Sequence, residues 1–353
     1  MEKTSTIYGA IKKTDIKMRR NINYDFLRVA AAFTVVCLHI SAQFATNTPD
    51  LHSVNWWIAN IADSLSRWCV PIFVMLSGAL LLSPEKEQTP QAKKDFYKNR
   101  LSRLLIPLIF WTILYICFRA GTEQKFTLTT ALTETINGNP YFHLWYIYMA
   151  LGLYIITPYL RVLIRHIDRQ SLLSLTIFSL TISSIEVSFG SGSVLFISKF
   201  IPYIGYFLAG YYLSTTNRKY SLPKLTAISI SSGLLISILT AYYFEQIGNK
   251  VFSLMYGYLN PLVIVMSCCV FIVALRTDIN NGIVEKISIN IAPLSLGIYL
   301  IHPLWLWVLN RYIFWRFGNA LWIEIPIFTM LVFTLSAASS LIITKIPIAH
   351  RTI

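Results

Sequence analysis

The sequence predicts an all-α, polytopic integral membrane protein, on three observations. Hydrophobic stretches long enough to cross a bilayer, which takes about 20 apolar residues, follow one another along nearly the whole chain. None of them alternates polar and apolar residues as a barrel strand would. Lys and Arg fall mostly between the stretches rather than within them. A chain of 353 residues that is 55% hydrophobic and 13% charged carries too much apolar material for a water-soluble domain. Backbone groups find no water partners in hydrocarbon, so each stretch must satisfy its own hydrogen bonds as a helix.

Taken in order, the stretches predict ten transmembrane helices at residues 23–44, 66–83, 103–119, 142–160, 172–189, 194–213, 225–244, 254–275, 289–310 and 321–346. Ten crossings return the chain to its starting side, and the positive charges test that count independently. The N-terminal segment carries Lys12, Lys13, Lys17, Arg19 and Arg20, and the second connection carries Lys86, Lys93, Lys94, Lys98, Arg100 and Arg103. Arg161, Arg165 and Arg169 fill the fourth, Arg218, Lys219 and Lys224 the sixth, and Arg276 and Lys286 the eighth. Lys345 and Arg351 close the series. Residues 45–66, by contrast, hold no Lys or Arg, and residues 120–141 hold only Lys125; Arg311 and Arg316 are the exceptions in the last odd connection. Both termini are therefore expected in the cytoplasm. The expected organisation is a basic cytoplasmic tail over 1–22, one ten-helix domain over 23–346, and a short tail over 347–353.

The net charge of +14 is thus an orientation signal and not a nucleic-acid footprint. Cys37, Cys69, Cys117, Cys268 and Cys269 all sit in apolar segments without metal-ligand spacing, so they read as small core residues, and no metal site is expected. The first apolar run begins after a basic stretch and is long enough to span, so no cleavable signal peptide is expected. Asn55–Ser66, with Trp56 and Trp57 followed by polar residues, reads as an amphipathic anchor along the outer interface.

The first helix carries the most chemistry. Arg28 and His39 are eleven residues apart, within about 20° of three full turns, so they share a face about 16 Å apart along the axis. Ionisable residues at such depth face a bundle interior or a watery cavity and mark function. Taken singly, Arg28 could be a snorkelling anchor and His39 a packing histidine. Asp25, three residues before Arg28, either holds that guanidinium or joins the interfacial charge pattern.

The Arg-x10-His pattern in a first membrane helix resembles the membrane-bound acyltransferase-3 family of bacterial surface-glycan acyltransferases. The stretches Val70–Gly78, Arg100-Leu101-Ser102-Arg103 with Pro107, His143-Leu144-Trp145-Tyr146, Tyr206–Gly210 and Ser295–Pro303 also resemble that family's elements, in the same order. The resemblance implies an O-acyltransferase of the bacterial inner membrane. It would draw an acyl group, acetyl above others, from cytoplasmic acetyl-CoA and place it on a hydroxyl of a lipopolysaccharide, other envelope polysaccharide or lipid-linked sugar. Its partners would be membrane lipid, acyl-CoA and that glycan, with no nucleic acid. Arg28, Arg100 and Arg103 would clasp the phosphates of CoA, for which guanidinium forks are suited. His39 would act as general base on the acceptor hydroxyl or carry the acyl group itself. Ser77 and Gly78 read as a helix-packing contact. Trp145 and Tyr146 are interface aromatics or a platform for a sugar ring, and His143 and His302 are expected near the outer surface, solvated or touching the acceptor.

A transporter or flippase for a lipid-linked glycan is the competing reading. It would be expected to carry carboxylates at mid-membrane and internal repeats, and the sequence suggests neither. A glycan polymerase or ligase would be expected to carry a large external loop, which is also missing.

Overall fold

The computed structural model describes residues 21–47, 49–86, 88–189, 199–312, 320–347 and 349–353. Most of the basic N-terminal tail, the first residues of the expected sixth helix and Arg316 lie outside the described residues. Within them the protein is all-helical, with no strand. Its helices are α1 (Ile22–Asn47), α2 (Val54–Ser66), α3 (Cys69–Leu81), α4 (Pro90–Thr122), α5 (Leu128–Ile136), α6 (Trp145–His166) and α7 (Arg169–Phe189). There follow α8 (Ile204–Ser214), α9 (Leu222–Ile247), α10 (Lys250–Met255), α11 (Pro261–Arg276), α12 (Gly282–Ile291), α13 (Ser295–Tyr312) and α14 (Leu321–Lys345).

Among the described residues, seven of the ten expected stretches form helices long and apolar enough to cross a membrane: α1, α2 with α3, α4, α6, α9, α12 with α13, and α14. The other three correspond to α7, α8 and the sixteen-residue α11. Local chemistry sets several of their ends. The Thr89 hydroxyl accepts from the Ala92 N–H with Pro90 at the first helical position, and Asn281 caps the N–H groups of Ile283 and Val284.

The segment Asn55–Ser66 is not a surface anchor. It is α2, the first half of one long span, and it buries Trp56, Ala59, Asn60, Asp63 and Ser64. Its polar face meets polar partners inside the bundle. Asn60 Nδ2 donates to the Ser237 carbonyl at 2.9 Å, the Tyr256 hydroxyl donates to Asn60 Oδ1 at 2.7 Å, and Asp63 pairs with Arg67. Asp63 is thus a buried carboxylate inside a long span, where the sequence reading singles out none at mid-membrane. The span breaks between Ser66 and Cys69. Pro71 has no N–H to give the Arg67 carbonyl, so the helical ladder lapses there.

Three apolar clusters fill the bundle, and Trp68, at the break, packs against all three. α3 and α8 approach back to back at Gly78 and Gly210, which bears out the packing reading of Gly78. A Cβ on Gly78 would stand 1.8 Å from the Phe207 carbonyl oxygen, and one on Gly210 would stand 1.9 Å from that of Met75.

Candidate active site

Three histidines from distant parts of the chain meet inside this bundle. α1 carries His39, α13 carries His302, and the turn leading into α6 carries His143. The rings of His39 and His302 stack at 5.2 Å, and that of His143 lies 5.6 Å from His302. Phe142 closes against His39 edge-on at 4.9 Å. His143 and His302 are 1% and 0% exposed, so of the two expected settings the solvated one does not hold. Whether a histidine sits at a helix end or deep in a bundle depends on how the helices are staggered, and hydropathy does not carry that.

Pro303 arms one of them. It lacks the N–H that would bond the Tyr299 carbonyl four residues back, and that carbonyl accepts instead from His302 Nδ1 at 2.7 Å. A carbonyl can only accept, so Nδ1 carries a proton, and in the neutral form of the ring that leaves Nε2 bare. Among the described residues that Nε2 is buried without a hydrogen-bond partner, as are both ring nitrogens of His143. Buried imidazole nitrogens left unsatisfied are costly, and a substrate that supplies a hydroxyl would relieve them.

Two adjoining cavities lie on the other side of Tyr299 from the cluster's His143. The inner one, about 250 Å³, is lined by Arg28, Ser77, Tyr146 and Tyr299 among others. The outer one, about 630 Å³, is lined by Ser102, Arg103, His350 and Arg351. Pro293 and Leu296 belong to both linings, so the two spaces share a wall. Tyr299 joins the inner cavity to the histidines. Its ring lies 5.4 Å from that of Tyr146 and 5.3 Å from that of His143. Arg28 lines the inner cavity, whereas His39 lines neither cavity and is linked to the inner one through the rings of His302 and Tyr299.

The remaining expected residues divide. Tyr146 lines the inner cavity, whereas Trp145 is half-buried between Tyr258 and Tyr203, each 5.7 Å away, away from that lining. Asp25 is buried. Arg103 faces the outer cavity, but Arg100 lines neither cavity. Arg100 belongs to a cationic group around the end of α3, where Arg161 Nε donates to the Leu81 carbonyl at 2.7 Å and the Lys86 ammonium donates to the Leu80 carbonyl. Partial burial, with Arg161 and Arg100 nearby, pushes Lys86 down to about 8.

Sequence reasoning missed Tyr299, His350, Arg351 and the Asp63–Arg67 pair as parts of this interior. The tail residues reach the cavity because Trp111 Nε1 donates to the Thr352 carbonyl at 2.8 Å, a tertiary contact with no local signature. Asp63 and Arg67 did leave a signal, since opposite charges four residues apart at the head of a long apolar run are unusual.

A family model described as an acyltransferase domain matches residues 21–344, which takes in the histidine cluster, the inner cavity and Arg103. No curated protein and no solved structure matched the chain.

Proposed function

We propose that this chain, which belongs to the acyltransferase-3 family and is a multi-pass membrane protein, moves an acetyl group from acetyl-CoA to a hydroxyl of a cell-envelope polysaccharide or lipid-linked sugar. The observation that carries the reading is a run of two cavities that share Pro293 and Leu296, the wider lined by Arg103 and Arg351 and the narrower by Arg28 and by Tyr299, whose ring packs against His143 and His302. Guanidinium groups at its wide end suit the phosphates of CoA. The narrower inner cavity suits a pantetheine arm, with the thioester brought beside His39 and His302. One of those rings takes the proton of the acceptor hydroxyl as it attacks the thioester carbonyl; acyl-His39 is the covalent variant of the same step. The ten-crossing topology, with both ends in the cytoplasm of a bacterial inner membrane, puts the wide end on the side where acyl-CoA is found. In that topology α7, α8 and α11 supply the three crossings beyond the seven.

The buried Asp63 within a broken span is the one observation that favours a glycan flippase instead. A single experiment separates the two. Surface glycans are compared by mass spectrometry from cells carrying wild type, His39→Ala or Arg103→Ala at matched membrane levels. The acyltransferase reading expects an acetyl-sized increment with wild type, none with His39→Ala and less with Arg103→Ala. Glycans with unchanged substituents but altered amount or chain length in both variants would overturn it in favour of transport.

A further inference from the structure

α14 ends at Lys345, Pro347 has no N–H with which to carry the helix on, and the chain makes a further turn over Ala349–Thr352 against α4 and α14. That turn is held from two sides. Trp111 Nε1 on α4 donates to the Thr352 carbonyl at 2.8 Å. Ile353 closes on α13 at Gly297, where a Cβ would stand 3.2 Å from its own. So held, the turn is a partition between two cavities. Ala349 and Thr352 line an apolar one of about 410 Å³, whereas His350, Arg351 and Ile353 line the outer cavity of about 630 Å³.

The outer cavity is charged with one sign. Arg103, His350 and Arg351 line it, Ser102 adds a hydroxyl, and among the described residues no carboxylate belongs to the lining. Among those residues, too, no hydrogen bond or ion pair engages the Arg103, His350 or Arg351 side chain. Like charges that share a cavity without a counter-charge repel, and an anion among them relieves the repulsion. The inner cavity offers less positive charge, since Arg28 is the one cation among its described lining residues. The wall shared by the two cavities, at Pro293 and Leu296, therefore divides a wide, strongly cationic space from a narrow one.

We propose that the turn carrying His350 and Arg351 sets the specificity for the acyl donor by holding a phosphomonoester at its nucleotide end, the 3′-phosphate of CoA, while Arg103 takes the diphosphate. The proposal rests on the reading of acyl-CoA as the donor. Pantetheine in the narrow cavity brings the diphosphate to the shared wall and leaves the ribose and its phosphate in the wide space beyond. A phosphomonoester carries about −1.5 to −2 charge and three acceptor oxygens, more than either phosphate of the diphosphate. A guanidinium fork with an imidazole next to it in sequence matches that demand. An acyl thioester on a protein-borne phosphopantetheine has no such phosphate and forgoes the contact. The turn lies beyond residues 21–344, so this contact is additional to anything the family match carries.

The test measures binding of radioactive CoA to the full-length protein in detergent, and its competition by dephospho-CoA, which lacks the 3′-phosphate. Wild type is expected to bind CoA about ten- to a hundredfold more tightly than dephospho-CoA. Arg351→Gln should weaken CoA by about that factor while leaving dephospho-CoA within about twofold, so that the two ligands converge. Arg103→Gln should weaken both alike. Arg351 is exposed, and the ratio of two ligands on one preparation does not depend on how much of it is folded. Three results overturn the proposal: no preference in wild type, a preference that survives in Arg351→Gln, or a loss in that variant shared equally by both ligands, as a guanidinium serving a lipid headgroup would give. Failure of wild-type membranes to pass label from radioactive acetyl-CoA to envelope glycan would instead bring down the reading beneath it.

Discussion

The hydroxyl of Tyr299 donates to the backbone carbonyl of His143, so one side chain ties the turn that carries one histidine to the helix that carries another. The tie is buried, and Tyr115 braces the same helix by donating to the Leu300 carbonyl at 2.7 Å.

Tyr299→Phe keeps the ring and removes only the donor. The His143 carbonyl then keeps only the bond from the Tyr146 N–H, and the loss of the second costs about 0.5–1.5 kcal/mol. Thermal unfolding in detergent should show a lowered midpoint, and glycan acetylation should fall further than protein level does. An unchanged midpoint would mean that the turn is held by its packing alone.

Gly78→Ala should be among the most damaging single-methyl changes in the protein. The added carbon meets the Phe207 backbone at 1.8 Å, and backbone cannot rotate away as a side chain can. Overpacking of a close-packed interior costs about 1–3 kcal/mol even where side chains can adjust. Gly121→Ala is the control, because a Cβ there has nothing within 4 Å. Quantification of folded protein in membranes should show Gly78→Ala depleted and Gly121→Ala at wild-type level; equal levels would contradict the close approach of α3 and α8.

Lys86 titrates at about 8, below the ordinary lysine value, because partial burial and the neighbouring guanidinium groups disfavour its charged form. Its folded-state value is therefore lowered relative to the unfolded chain. The cost of holding it charged is fully present below pH 8 and is relieved as pH rises towards the ordinary value, about 10.4. Competitive labelling of amines with an acylating reagent should place the Lys86 midpoint near 8 in the native protein and higher in Arg100→Ala. A midpoint that stays put in that variant would remove Arg100 from the list of causes.

The sequence carried the helices and the shared face of Arg28 and His39, because both are properties of one periodic segment. It did not carry what depends on which segments meet. Asn60, Asp63 and Ser64 make α2 amphipathic, and that pattern is the same whether a polar face meets water or internal partners such as Tyr256 and Ser237. His143 and His302 precede or sit within apolar runs, and only the staggering of α6 and α13 against α1 brings their rings to His39. Arg103 and Arg100 look alike in sequence, yet three residues of helical rotation turn one to the outer cavity and the other to the group around Lys86.

The reciprocal contact of Gly78 and Gly210 has a bearing on how such a sequence can drift. Each glycine is pressed against the backbone of the other's helix, so a side chain gained at either position is excluded whatever stands at its counterpart. No neighbouring mutation of a side chain can make room, since the obstacle is main chain. A lineage could escape the pair only by moving two whole helices apart at once, which no single codon change achieves.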